Sequence, residues 1–320
     1  MTFRPSGILV PLVTPFTDTG DVSGADLERL AHTVIDDGAA GLVALGTTAE
    51  AAALSPRERR DVVRICAVVC RDRNVPLIVG TGTNDTVGTG RALEALGAGG
   101  EYLGAGGGVL GAGGGVLGAG GGVTAALVVV PYYTRPSEAG VVAHFEYLAE
   151  RSPAPLVLYN VPYRTGQRLG WDAIVRLSEH PRIVGIKQAV GAIDTDTARV
   201  VTECADGFSV LAGEDTLISP LLAMGASGAI AATANVCTAE FVELFRLWQV
   251  GQVEQARELG NRLVGPAAAL MGPPNPVGIK AVLHAYGRIA TPNVRLPLLP
   301  VEDGESIVAA VDRLRVRAVL

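Results

Sequence analysis

Lys187 is the residue whose placement most needs a chemical explanation. It stands in Ile183-Val184-Gly185-Ile186-Lys187-Gln188-Ala189, a run otherwise suited to burial. Burying an ammonium is costly unless it is paired or neutralised. Desolvation favours the neutral amine, and a neutral amine attacks carbonyls. The bland alternative is a lysine at a strand end whose head snorkels to water. Schiff-base chemistry on a keto acid also needs a group that shuttles protons to and from the carbinolamine. A tyrosine hydroxyl linked to other hydroxyls can do this. Tyr159 is placed for that role at the end of the neighbouring apolar run, and Tyr133 and Thr47 can extend a hydroxyl chain from it. Thr48, with the backbone N–H groups of the Gly46–Thr48 turn, can hold a carboxylate, and Arg164 is a natural fork for a second one. Taken singly, such residues are more often packing or surface; gathered at the ends of four strands they read as a site.

Those ends exist only if the chain builds strands. Short runs rich in Val, Ile and Leu cover Ile8–Phe16, Gly41–Thr48, Leu77–Gly82, Ala125–Pro131, Leu156–Asn160, Ile183–Ala189, Ser209–Glu214 and Gly228–Asn235. They read as strands buried on both faces, as in a parallel sheet. Helix signals fall between them. Ser55-Pro56-Arg57-Glu58 is a capping box with proline at the first helical position, and Ser23, Ser137 and Asp194 can open other helices. A nucleotide-binding reading wants Gly-x-Gly-x-x-Gly after the first strand, but that strand runs into Val13-Thr14-Pro15-Phe16. Eight strand–helix units in succession therefore predict an α/β TIM barrel, (βα)8, whose chemistry sits at the C-terminal ends of the strands. The barrel is expected over residues 1–237. Residues 238–320 read as an extension of additional C-terminal helices (Ala239–Val250, Val253–Met271, Pro276–Tyr286) and a Pro-rich tail, packed on the barrel or on a neighbouring subunit.

The bulk numbers fit one large core: 320 residues, 48% hydrophobic and 18% charged. A net charge of −6 and the lack of any Lys/Arg run argue against a nucleic-acid partner. No signal-peptide pattern and no bilayer-length apolar run are visible, so a cytoplasmic protein with no membrane partner is expected. Cys66, Cys70, Cys204 and Cys237 read as buried small hydrophobes. None of His32, His144, His180 and His284 has metal-ligand spacing, so neither metal nor cofactor is expected. One stretch breaks the pattern. Leu103–Val123 is Leu-Gly-Ala-Gly-Gly-Gly-Val three times over, with a partial copy at Leu96–Gly100. Four glycines in seven residues rule out a coiled coil, because each costs about 1 kcal/mol in a helix relative to alanine. It reads as a tandem duplication, an insert over about residues 97–123 in a helix-to-strand connection. Such connections lie on the face away from the chemistry, so the insert is expected to be functionally neutral.

Gly46-Thr47-Thr48-Ala49-Glu50, Pro131-Tyr132-Tyr133-Thr134-Arg135-Pro136, Tyr159-Asn160-Val161-Pro162 with Arg164-Thr165-Gly166, and Gly185-Ile186-Lys187 together resemble the dihydrodipicolinate synthase / N-acetylneuraminate lyase family. The resemblance covers nearly the whole chain apart from the insert. It implies that Lys187 forms the Schiff base and Tyr159 is the general acid/base. Thr47 and Tyr133 would complete the relay, with Tyr133 delivered from a neighbouring subunit, which implies a homo-oligomer, dimer or tetramer. Thr48 and the backbone of Ile230 would bind pyruvate, and Arg164 the carboxylate of a small aldehyde partner. The synthase branch is favoured by Arg164-Thr165-Gly166, Pro274-Asn275-Pro276 with Lys280, and Arg295-Leu296-Pro297. That branch condenses pyruvate with L-aspartate-4-semialdehyde in lysine biosynthesis. The alternatives are a sialic-acid or 2-keto-3-deoxy-gluconate type of aldolase, or a catalytically silent paralogue. Departures from the family pattern are Ala49 and Ala51 for its usual Gly and Ser, and Gln188 for Glu. Pro56, Arg59 and Gly88 stand at places where lysine-sensitive members have other residues, so weak or absent lysine inhibition is expected.

Overall fold

The eight apolar runs form eight parallel strands that close into one barrel, in sequence order from β1 round to β8. The computed structural model describes residues 3–97 and 122–316. Residues 98–121, which hold most of the expected glycine-rich insert, lie outside the described residues. In chain order the elements are β1 (Gly7–Pro11), α1 (Gly24–Asp36), β2 (Gly41–Ala44), α2 (Pro56–Arg73), β3 (Leu77–Gly80), α3 (Thr86–Gly97), β4 (Val123–Val129) and α4 (Glu138–Arg151). They continue with β5 (Leu156–Asn160), α5 (Pro162–Thr165), α6 (Trp171–Ser178), β6 (Ile183–Gln188), α7 (Thr195–Glu203), β7 (Ser209–Ala212), α8 (Ile218–Ala223) and β8 (Gly228–Ile230). The C-terminal helices α9 (Thr238–Gln249), α10 (Val253–Met271), α11 (Val277–Ala285) and α12 (Gly304–Val316) complete the described chain. This is the (βα)8 architecture with additional C-terminal helices. Among the described residues no helix is long and apolar enough to cross a membrane.

Local chemistry sets several helix starts. Ser55 Oγ accepts from the Glu58 N–H at 3.3 Å while Glu58 Oε2 accepts from the Ser55 N–H at 2.8 Å, so the capping box at α2 is complete. Ser137 caps α4 through Gly140 N, and Asp194 caps α7 through Thr197 N. Ser23 makes no side-chain cap bond to the α1 backbone. Most strands are shorter than their apolar runs. Leu12, Val13 and Phe16 follow β1 and stay buried, because the chain turns at the barrel mouth beneath the C-terminal extension. The expected tail is likewise corrected: it contains α12. Ile307, Val311 and Leu314 recur at helical spacing and give α12 an apolar face against α10 and α11.

Strand alternation sorts the core into two layers. Leu9, Val43, Ile78, Val157, Leu211 and Ile230 form a cluster inside the barrel. Their neighbours Ile8, Leu42, Leu77, Leu156, Leu158 and Val210 face the helices. β6 breaks the alternation: Val184 belongs to the inner layer and Ile186 to the outer one. The register explains why. Leu156 pairs with Ile183, but Val157 pairs with Gly185, so β6 carries one extra residue. This bulge reverses the parity of everything after it. Strict alternation from Ile183 would face Lys187 toward the helices; the bulge turns it inward, opposite Tyr159. A side chain at position 185 would put its Cβ 2.6 Å from Ser209 O, so glycine is needed where the two strands approach.

Candidate active site

Lys187 and Tyr159 are register partners on adjacent strands, and both are more than nine-tenths buried. The Lys187 ammonium nitrogen lies 4.5 Å from the centroid of the Tyr159 ring. Space for the lysine stem comes from Gly213, just beyond β7. A Cβ there would lie 2.7 Å from Lys187 Cγ, 2.9 Å from Lys187 Cε and 2.9 Å from Ala189 Cβ. The Gly213 N–H donates to Gln188 O at 2.8 Å, which fixes the backbone beside the lysine. Ile230 closes the inner layer at the end of β8, fully buried in the same cluster as Tyr159.

Of the predicted residues, Thr47, Tyr159 and Arg164 line a cleft of about 810 Å³, while Lys187, Thr48, Ile230 and Tyr133 are not in its lining. Thr47 and Thr48 sit in a 3-10 turn, Thr47–Ala49, directly after β2. Thr47 is exposed to the cleft, whereas Thr48 is buried and its hydroxyl accepts from Asn275 Nδ2 at 3.1 Å. Thr14 Oγ1 donates to Ala49 O at 2.8 Å and holds the turn from beneath. Arg164 is carried by α5, which starts with a proline at its first turn. Its guanidinium is exposed and lies 5.2 Å from the Tyr163 ring centroid. Tyr133 is the exception. It is 88% exposed, has φ of 71°, and is not among the residues lining the cleft, although Tyr132 is. Tyr159 thus joins two groups, the buried Lys187 and Ile230 of the inner layer and the cleft-lining Thr47 and Arg164, with Thr48 buried behind its turn and Tyr133 exposed outside.

Several residues absent from the sequence-derived set shape this mouth. Asp215 is buried and accepts from Thr233 N at 2.6 Å and from Ala232 N at 3.3 Å, pinning the chain that leaves β8. Burial pushes its carboxyl up, against those hydrogen bonds and the nearby Lys187 charge. Glu214 is also pushed up, first by burial and then by Asp215, while Lys187 and Arg164 oppose the shift. Burial, then Tyr159, raises the Tyr163 phenol, with Arg164 pulling the other way. The signal for Glu214 and Asp215 was two acids ending an apolar run; Asn275 stood out only within the Pro274-Asn275-Pro276 motif, with nothing to tie it to Thr48, and Gly213 gave no signal. Gln188 accepts from Asn160 Nδ2 at 3.1 Å; Asn160 also bonds both backbone groups of Leu169. Cys66 and Cys70 are buried, and burial pushes both thiols up.

A closed parallel barrel with a buried amine set against a phenol at its mouth has the architecture of a carbonyl-handling lyase. The sequence signature of the Dihydrodipicolinate synthetase family matches residues 4–102 and 117–311. The unmatched gap, 103–116, is two whole copies of the glycine-rich heptapeptide. The 4-hydroxy-tetrahydrodipicolinate synthase of Methanothrix thermoacetophila is 38% identical over 302 residues, covering 93% of this chain and 92% of the relative. The crystal structure of dihydrodipicolinate synthase from Thermotoga maritima superposes with a TM-score of 0.86 at 30% identity, over 99% of both chains. The chloride-inhibited enzyme from Acinetobacter baumannii, solved in complex with pyruvate, gives 0.85 at 32% identity, over 97% of this chain and 99% of that one. The chain belongs to the dihydrodipicolinate synthetase family.

Proposed function

We propose that this protein is a 4-hydroxy-tetrahydrodipicolinate synthase, condensing pyruvate with L-aspartate-4-semialdehyde through a Schiff base on Lys187. The observation that carries the reading is the buried Lys187 amine against the Tyr159 ring, on adjacent strands in register. The amine adds to the pyruvate carbonyl, and loss of water leaves the Schiff base. Loss of a methyl proton then gives an enamine, whose carbon attacks the aldehyde; the amino group of the condensed chain then displaces the Lys187 amine, closing the ring and freeing the lysine. Tyr159 moves protons at the carbinolamine, with Thr47 continuing the relay. Thr48 and the backbone of Ile230 hold the pyruvate carboxylate, and Arg164 receives the carboxylate of the aldehyde. The exposure of Tyr133 outside its own cleft supports delivery of its phenol to a neighbouring subunit, hence a homodimer or homotetramer. The positive φ of Tyr133 costs about 1–3 kcal/mol for a non-glycine residue and supports a constrained, functional loop. In this reading residues 1–237 form the barrel, 238–320 the extension, and the protein works in the cytoplasm.

Borohydride reduction in the presence of pyruvate tests the proposal. The expected result is a pyruvate-dependent mass increase on the peptide holding Lys187, abolished by Lys187→Ala. Turnover of L-aspartate-4-semialdehyde above sialic acid and 2-keto-3-deoxy-gluconate identifies the branch. No adduct at Lys187 overturns the mechanism; an adduct without synthase turnover overturns the choice of aldehyde.

A further inference from the structure

Glu50 and Lys280 form a buried ion pair that no step above uses. Lys280 is wholly buried, and its ammonium donates to Glu50 Oε1 at 2.6 Å and to Asn293 O at 2.8 Å. It also lies 3.9 Å from the Phe16 ring centroid. The other Glu50 oxygen accepts from the Arg295 N–H at 2.8 Å. Arg295 then ties the same region together. Its guanidinium donates to Ala53 O at 2.9 Å, to Gly20 O at 2.8 Å and to Glu58, and lies 4.5 Å from the Phe16 ring centroid.

Glu50 is the residue immediately after the 3-10 turn that carries Thr47 and Thr48. Its backbone is left-handed, at φ 52° and ψ 35°. An L-residue with a side chain enters that region only when its surroundings hold it there. Here both carboxylate oxygens are held by the C-terminal extension. The Glu50 N–H in turn donates to Thr47 O at 3.2 Å, so the held residue is bonded to the turn itself. The extension reaches the turn a second time through Asn275 and the Thr48 hydroxyl. The turn is thus held from the barrel side by Thr14 and from the other side by the extension, at Thr48 and at Glu50.

We infer that Glu50, Lys280 and Arg295 are positioning residues for the reaction: they clamp the C-terminal extension onto the Gly46–Glu50 turn and so aim Thr47 and Thr48 at pyruvate. The inference rests on the proposed roles of those threonines. A buried ion pair is weak evidence for stability, since apolar or neutral groups of similar shape often replace it without loss. The clamp's contribution is therefore expected in substrate binding.

Glu50→Gln/Lys280→Met removes both charges and keeps the shapes. Arg295→Gln, at a part-exposed site, cuts the outer tie while leaving the Glu50–Lys280 pair. Each is compared with wild type by Tm, by steady-state kinetics in both substrates, and by borohydride trapping with pyruvate. The expected result is a KM for pyruvate raised at least tenfold in the double variant and about fivefold in Arg295→Gln. Pyruvate trapping should slow in step, while the KM for the aldehyde stays within twofold. A lower Tm with unchanged KM for pyruvate in both variants would make the clamp purely structural and overturn the inference. Should wild type itself form no adduct at Lys187, the functional reading fails first and takes the inference with it.

Discussion

Gly213→Ala is the most direct probe of how the barrel holds its lysine. The added methyl would sit 2.7 Å and 2.9 Å from two carbons of the Lys187 stem and 2.9 Å from Ala189 Cβ. Carbon atoms pack at about 3.5–4.0 Å, so the stem must move by roughly 1 Å. Ala189 is fully buried in the inner layer and blocks retreat on its own side. Overpacking of this kind costs on the order of 1–3 kcal/mol of stability. The larger effect is on chemistry, because a 1 Å misplacement of a reacting group lowers the rate roughly 10²-fold. At about 1.4 kcal/mol per factor of ten, that is about 2.8 kcal/mol of barrier. The assay is kcat with both substrates saturating, alongside the rate of pyruvate trapping by borohydride and a thermal melt. Ala189→Gly/Gly213→Ala relieves the contact with Ala189 and should recover stability without recovering kcat. A folded Gly213→Ala protein with kcat within threefold of wild type would refute the argument that glycine makes room for the lysine.

Arg164→Ala should raise the KM for L-aspartate-4-semialdehyde at least tenfold and leave trapping of pyruvate alone unchanged; initial rates in the two substrates check this. Burial holds the His144 imidazole down at about 4, against an ordinary 6.5. Between those values the unfolded chain binds a proton that the native state refuses, so stability falls by roughly 3 kcal/mol as pH drops from 6.5 to 4, and His144→Gln should flatten that limb in urea titrations. Deleting residues 103–116, the two heptapeptides outside the family match, should leave kcat and both KM values within twofold. Lysine at sub-millimolar concentration should leave initial rates unchanged.

The barrel was legible because its signals are local and repeated. Each buried strand needs a run of apolar residues, and each helix start such as Ser55–Glu58 needs only a four-residue capping pattern. The strand ends were not legible, since Leu12, Val13 and Phe16 are as apolar as β1 itself and only the turn at the mouth separates them. The parity of β6 shows the limit most clearly. Counting alternate residues from Ile183 assigns Lys187 to the helix-facing side. The extra residue that reverses this leaves no trace in sequence beyond the glycine at 185. The motif around Lys187 singles out a residue that the structure turns inward, whereas strand periodicity alone would face it toward the helices. The amphipathic α12, by contrast, carries a local signal in Ile307, Val311 and Leu314, at helical spacing beyond the prolines of the tail.

What the sequence hid was the dependence of the barrel mouth on distant chain. Asn275, Lys280 and Arg295 bond to Thr48 and Glu50 across 227, 230 and 245 residues. No periodicity or spacing rule reaches that far. Reading the chain as a barrel followed by an extension separates these residues from the site they brace. The eighth strand, ending at Ile230, closes the sheet before the C-terminal helices begin. The chemistry respects no such division. A barrel cut at 237 would keep Lys187 and Tyr159 on adjacent strands, yet Glu50 would lose both partners that hold its left-handed backbone, and Thr48 its bond to Asn275. The extension therefore braces the turn that carries Thr47 and Thr48, and substitutions at Lys280 or Arg295 belong with those at the two threonines when activity is compared.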